Sequence, residues 1–213
     1  MEKFKTISKD VSSQIEEKKS KFIADVFQID SAKQAEEIIR KIKKKYYDAR
    51  HHCYAYRVLE KEEEIENIKE KSSDDGEPSG TAGAPMLNIL KKNELLNVLV
   101  IVTRYFGGIL LGTGGLVRAY SEATIKSLEE AKSIFQEQGN EIEVIIEYKD
   151  LEKFKYYCNK NEIEIIDIFY ENNIRCIIKV NNEEKEKILE KNQEDINILK
   201  YDVLRKTYIR KNS

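Results

Sequence analysis

The chain of 213 residues has no tryptophan, two prolines, two histidines and three cysteines, and each scarcity closes a class of explanation. Cys53, Cys158 and Cys176 are an odd number at wide spacings with no CxxC, which excludes a disulfide framework and a zinc ribbon and leaves the reduced thiols expected of a cytosolic protein. Long apolar runs are also missing. The longest, Val98–Val102, is far short of the roughly 20 residues that cross a bilayer, and MEKFKTISKD at the start lacks an apolar stretch, so neither a signal peptide nor a membrane helix is expected. Nor is there an excess of one charge. Residues 1–140 carry 23 Lys and Arg against 23 Asp and Glu, and residues 141–213 carry 14 against 16. Neither part has the basic surplus of a general phosphate binder, so any contact with nucleic acid has to be local.

What is present is a globular composition, 40 % apolar and 36 % charged, in a chain long enough for a main domain and a smaller one. The pattern predicts strands over 15–18 and 22–29, a helix capped by the box from Ser31 to Gln34, and a strand over 51–58. An edge strand or loop over 61–71 and a short helix over 86–92 follow. Asn97–Thr103 is an unbroken β-branched run, expected as a central strand covered on at least one face. A helix from Thr113 to about Lys132 would bury Val117, Tyr120, Thr124, Leu128 and Ala131. From Glu141 onward the order is strand, helix capped by Asp150, two strands joined by a turn at 171–173, helix 182–191 and strand 199–209. This βαββαβ order is a ferredoxin-like split unit.

Glycine and proline are rare overall but crowded in one place. Eight of nine glycines and both prolines lie between residues 76 and 115, where positive φ or close backbone approach is therefore concentrated. The stretch 72–85 mixes Asp74, Asp75 and Glu77 with Ser79, Thr81, Gly76, Gly80 and Gly83, a composition that folds on itself and offers backbone amides to an anion. The second stretch, 103–118, runs from a buried strand through Arg104, Tyr105, Phe106, Gly107 and Gly108 to Gly112, Thr113, Gly114, Gly115 and Arg118. Thr113 is placed to cap the helix, and the Gly114 and Gly115 amides with Arg118 favour a phosphate or carboxylate. Tight packing of helix on sheet is the plainer account of the same glycines. The stretch lacks both the P-loop ending and the dinucleotide-binding spacing.

His51 and His52 are adjacent on a strand and point to opposite faces, so they do not share a metal without distortion. One of them with Asp74, Asp75 or Glu77 is the remaining arrangement for a metal ligand set or general base, a structural histidine being the ordinary alternative. No metal and no cofactor are expected. Arg104 beside Tyr105 and Phe106 suits base stacking or core packing.

The series SSDDGEPSGTAGAPML, then IVTRYFGGILLGTGGLVRAY, with HHCYAYR upstream, closely resembles the YigZ/IMPACT family. The resemblance implies an α+β protein. Its N-terminal domain, residues 1–135, would have the two-layer fold of the fourth domain of elongation factor G, a ribosomal-protein-like fold. Its ferredoxin-like C-terminal domain would span 140–213. It further implies a non-enzymatic binding protein linked to translation regulation and stress response, contacting RNA, the ribosome or a translation factor through residues 72–118. The alternative from the residues is an enzyme acting on a phosphorylated or carboxylated small molecule, with Asp75, Glu77, His51 or His52 as acid or base.

Overall fold

The computed structural model describes residues 1, 3–62, 65–189 and 196–210. They form two compact units, Phe4–Ile134 and Phe135–Ser213, the latter including Met1–Lys3. In chain order the first contains β1 (Lys3–Ile7), β2 (Val11–Glu17), β3 (Ser20–Gln28), α1 (Ala32–Lys45), β4 (His51–Glu62), β5 (Ile65–Ser73), α2 (Gly83–Lys92), β6 (Val98–Tyr105) and α3 (Gly112–Ala131).

The sheet order is β2-β3-β6-β4-β5, with every neighbouring pair antiparallel. β6 is central because its side chains are apolar on both faces. Val98, Val100 and Val102 pack with Phe22, Ala24, Met86, Leu90 and Tyr120, on the side of α2 and α3. Leu99 and Ile101 pack with Ile39, Ile42 and Val58, on the side of α1. Each such buried side chain contributes about 1.5–3 kcal/mol. The expectation of two layers is thereby corrected: helices cover both faces, so the unit has three. α1 is capped as its box predicts, Ser31 Oγ accepting from the Gln34 amide at 3.1 Å.

α3 buries a stripe shifted from the expected one. Ala119, Ala123, Ser127 and Ala131, four residues apart, lie against the sheet with Tyr120 and Thr124, while Val117 and Leu128 are half-buried. Small residues at this spacing let the helix axis approach the sheet closely. β1 was not legible in the lysine-rich start. Its Phe4 and Ile7 are nevertheless buried, and the Leu96 amide donates to the Lys5 carbonyl.

The second unit runs β7 (Ser133–Ile146), α4 (Leu151–Lys160), β8 (Glu164–Tyr170), β9 (Ile174–Asn181), α5 (Asn182–Leu189) and β10 (Ile198–Arg210). β7 pairs antiparallel with β10 and with β9, and β9 with β8, the pairing of a split βαβ unit. The expected end of the second helix at 190–191 lies outside the described residues. Asp150 precedes α4 as expected but makes no capping bond with its side chain. Ile142, Val144, Ile146, Phe154, Cys176 and Ile188 form the core. On the sheet, Arg205 pairs with Glu141, and Lys179 with Glu164, so the charges there largely neutralise one another.

Candidate functional site

The residues singled out from sequence converge at one end of the first sheet, where β3 and β4 begin and β5 and β6 end. Antiparallel register sets Phe22, Arg104 and His51 side by side in one row. The loop after β5 folds around Asp74, whose carboxylate accepts from the amides of Gly80, Ala82 and Gly83 at 2.9, 3.0 and 2.8 Å. Burial pushes its pKa up, but these three amides outweigh it, and the carboxyl titrates below its ordinary value. Asp74 thus closes the loop and satisfies the first free amides of α2.

Asp75 holds the left-handed φ of 42° that starts the turn into Gly76. Its carboxylate accepts from Lys43 Nζ at 2.7 Å and from the His52 amide at 2.8 Å. His51 Nδ1 donates to the Asp75 carbonyl at 3.0 Å, and His52 Nε2 donates to the Tyr46 carbonyl at 3.0 Å. His51 stands in the Arg104 row and His52 belongs to the opposite face, as alternation requires. Among the described residues, no three of His, Cys, Asp and Glu gather in a way that could hold a metal ion.

Glu77 and Arg104 form the centre of the site. Glu77 Oε1 accepts from Arg104 Nη1 at 2.7 Å and from the Tyr120 hydroxyl at 2.9 Å. Arg104 lies between two rings, with its guanidinium carbon 5.5 Å from the centroids of both Phe22 and Phe106. Phe22 in turn meets Tyr120 edge-on at 5.2 Å. A column therefore runs from Tyr120 through Phe22 and Arg104 out to Phe106, which is 52 % exposed. Arg104 Nε is buried without a partner among the described residues. Cys53 donates to the Asp74 carbonyl at 2.9 Å, and burial pushes its thiol up to about 12, an inert state. Burial likewise raises the Tyr120 phenol, helped by Cys53 and Glu77.

Of the two arrangements open to Arg104, base stacking or core packing, it takes the packed one: it is 6 % exposed and bound to Glu77. Glu77 and Asp75, the acid-base candidates, are engaged by internal partners. One expectation is corrected here. Thr113 does not cap α3, because the helix begins at Gly112 with Leu111 in the cap position and no side-chain cap.

The glycines divide into two kinds. A Cβ at Gly107 would lie 2.0 Å from the Lys19 backbone, and one at Gly83 would lie 2.7 Å from the Ser73 amide nitrogen, so these two serve close packing. Gly80, Gly108, Gly112 and Gly114 border open space, the first three with positive φ. Thr81 is buried and donates to the Pro78 carbonyl, while Ser79 is exposed. Tyr105 donates to Asp48 at 2.7 Å.

The rim of this end carries what sequence reading missed. Lys18 and Lys19 form the tight β2–β3 turn with φ of 46° and 64°, and Gly107 rests on it. Lys18, Lys19, Lys21, Arg50 and Arg118 are exposed and have no carboxylate partner among the described residues. Arg118 stands one helical turn after Gly114 on the same exposed side of α3, and helical side chains lean toward the N-terminus. The segment joining β6 to α3 exposes apolar side chains: Phe106, Ile109 at 43 % exposure and Leu110 at 83 %. Lysines in a hairpin turn give no motif, whereas Tyr120 did leave a signal, because a tyrosine in a stripe of small buried residues needs a partner for its hydroxyl.

Fold and site together define a two-unit mixed α/β protein with its exposed glycine-rich, cationic surface on the first unit. Residues 18–128 match the Impact N-terminal domain. The chain is 38 % identical to IMPACT family member YvyE of Bacillus subtilis over 79 % of this chain and 74 % of that one. It is 34 % identical to IMPACT family member YigZ of Escherichia coli over 72 % and 74 %. A crystal structure of a hypothetical protein superposes with a TM-score of 0.59 at 30 % identity, covering 93 % of this chain and 97 % of that one. The chain belongs to the IMPACT family. No described helix is long and apolar enough to cross a membrane.

Proposed function

We propose that this protein is a non-enzymatic binding protein linked to translation regulation, and that it contacts RNA of the translation machinery through the rim of its first unit. The observation that carries the reading is the set of five exposed cations without carboxylate partners among the described residues, Lys18, Lys19, Lys21, Arg50 and Arg118, in a chain whose net charge is −2. Unpaired cations at one end of a sheet supply the local phosphate contact that overall composition withholds. The start of α3 adds backbone amides without a side-chain cap, at Gly114 and Gly115, beside Arg118. The link to translation comes from the family resemblance stated above. The internal engagement of Asp75 and Glu77 supports binding over acid-base chemistry.

The test is affinity capture of tagged protein from its own cytosol at two salt concentrations, beside a Lys18→Glu/Lys19→Glu variant. Ribosomal RNA retained at low salt by the unaltered chain and lost by the variant is the expected outcome. Equal recovery by both, or none by either, would remove the reading.

A further inference from the structure

The column that ends at Phe106 has a direction. Its inner members, Tyr120 and Phe22, are fully buried, and Arg104 is fixed by Glu77, so the exposed ring at the outer end sits on a support that does not have to be ordered on binding. The loop that carries the ring is likewise held from below. The Gly107 amide donates to Ser20 Oγ at 3.2 Å, and absence of a side chain there lets the loop lie directly on the Lys19–Ser20 backbone. An aromatic ring set 5.5 Å from a guanidinium, half open to solvent and next to lysines with no carboxylate partner among the described residues, is an arrangement suited to taking a flat, electron-rich, anion-bearing partner on its free side.

We infer that Phe106 is a base-stacking platform and that the RNA class bound at this rim is single-stranded. This rests on the RNA-binding reading above and deepens it. Single strands offer unpaired base faces, while a duplex presents phosphates and sugars and would have to be unstacked to admit the ring. A base on the outer face of Phe106 continues the alternation of ring and guanidinium by one layer. The flanking phosphates then meet Lys18 and Lys19, which adjoin the Phe106 loop through Gly107. Nothing in this scheme reads base identity, so binding at the platform is tolerant of sequence.

The chain has no tryptophan, which makes the test direct. A Phe106→Trp variant carries a single indole at the platform, and a stacked base quenches its emission. The full-length chain, F106W and F106A are titrated with a labelled single-stranded 12-mer of mixed sequence and with the same sequence as a duplex, circular dichroism confirming that each variant is folded. The unaltered chain and F106W should bind the single strand more tightly than the duplex, with indole emission quenched on binding. F106A should bind the single strand about 5- to 160-fold more weakly, the range of one lost base–aromatic stack. If RNA binds but F106A is unaffected, if the duplex is preferred, or if F106W binds without quenching, the platform is overturned while RNA binding stands. If neither RNA binds any form at low salt, RNA binding and the platform fall together.

Discussion

Replacing Glu77 by alanine should unfold the site more than any exposed charge change could. One oxygen of this carboxylate accepts from both Arg104 and Tyr120, and the Glu77 and Arg104 side chains are 3 % and 7 % exposed. Removal strands a buried guanidinium whose Nε already lacks a partner and leaves a buried hydroxyl unpaired. Breaking a buried ion pair from one side costs about 3–5 kcal/mol, and for a unit of this size about 4 kcal/mol lowers Tm by roughly 15 °C. Glu77→Gln keeps an acceptor oxygen in place but still leaves the guanidinium charge uncompensated, so a somewhat smaller cost of about 2–4 kcal/mol is expected. Glu77→Ala combined with Arg104→Met removes the stranded charge, and the double variant should be more stable than the sum of the single losses indicates. The assay is urea unfolding followed by circular dichroism, with hydrogen exchange over residues 74–105 to assign the loss to the first unit. A Glu77→Ala cost below about 1 kcal/mol, or strict additivity in the double variant, would refute the reasoning.

Other outcomes follow from the same geometry. Gly107→Ala must separate the 105–111 loop from the Lys19 backbone and should cost at least about 3 kcal/mol in thermal unfolding, whereas Gly114→Ala, on an open helical face, should stabilise by about 0.5–1 kcal/mol. Asp74→Ala removes the acceptor for three amides and should cost about 2–4 kcal/mol. Because the folded carboxyl of Asp74 titrates below its ordinary value near 3.8, its contribution is present above that pH and is lost as pH falls further toward the depressed folded value. An acid-unfolding series of Asp74→Asn against the unaltered chain should show their stability difference narrowing in that range. Cys53, raised to about 12 by burial, should resist iodoacetamide at pH 8 until the chain is denatured.

Element type was legible wherever a single period dominated. The unbroken β-branched run of β6 gave its central place, and the alternation after Glu141 gave βαββαβ, whose observed strand pairing agrees with it. The layer count was not legible, because a run that is apolar on both faces announces burial without saying which helix covers each side. The crowding of glycines located the end of the sheet that matters. It did not separate Gly107 and Gly83, which admit backbone, from Gly108 and Gly114, which face open space; that distinction depends on what packs opposite. For a related reason base stacking and core packing both stayed open for Arg104: its acceptor, Glu77, lies 27 residues away in a loop whose path is set by Asp74. The lysines of the β2–β3 turn carry no pattern at all and gain meaning only from Gly107 lying on them.

The claim of a local phosphate-binding rim is tested most directly by the salt dependence of affinity for a single-stranded RNA. With all five free cations engaged, log affinity should fall against log salt with a slope of about −3.5, and Lys18→Glu/Lys19→Glu should make the slope shallower by at least about 1.4. Absence of binding at low salt, or a slope that the double substitution leaves unchanged, would contradict the account.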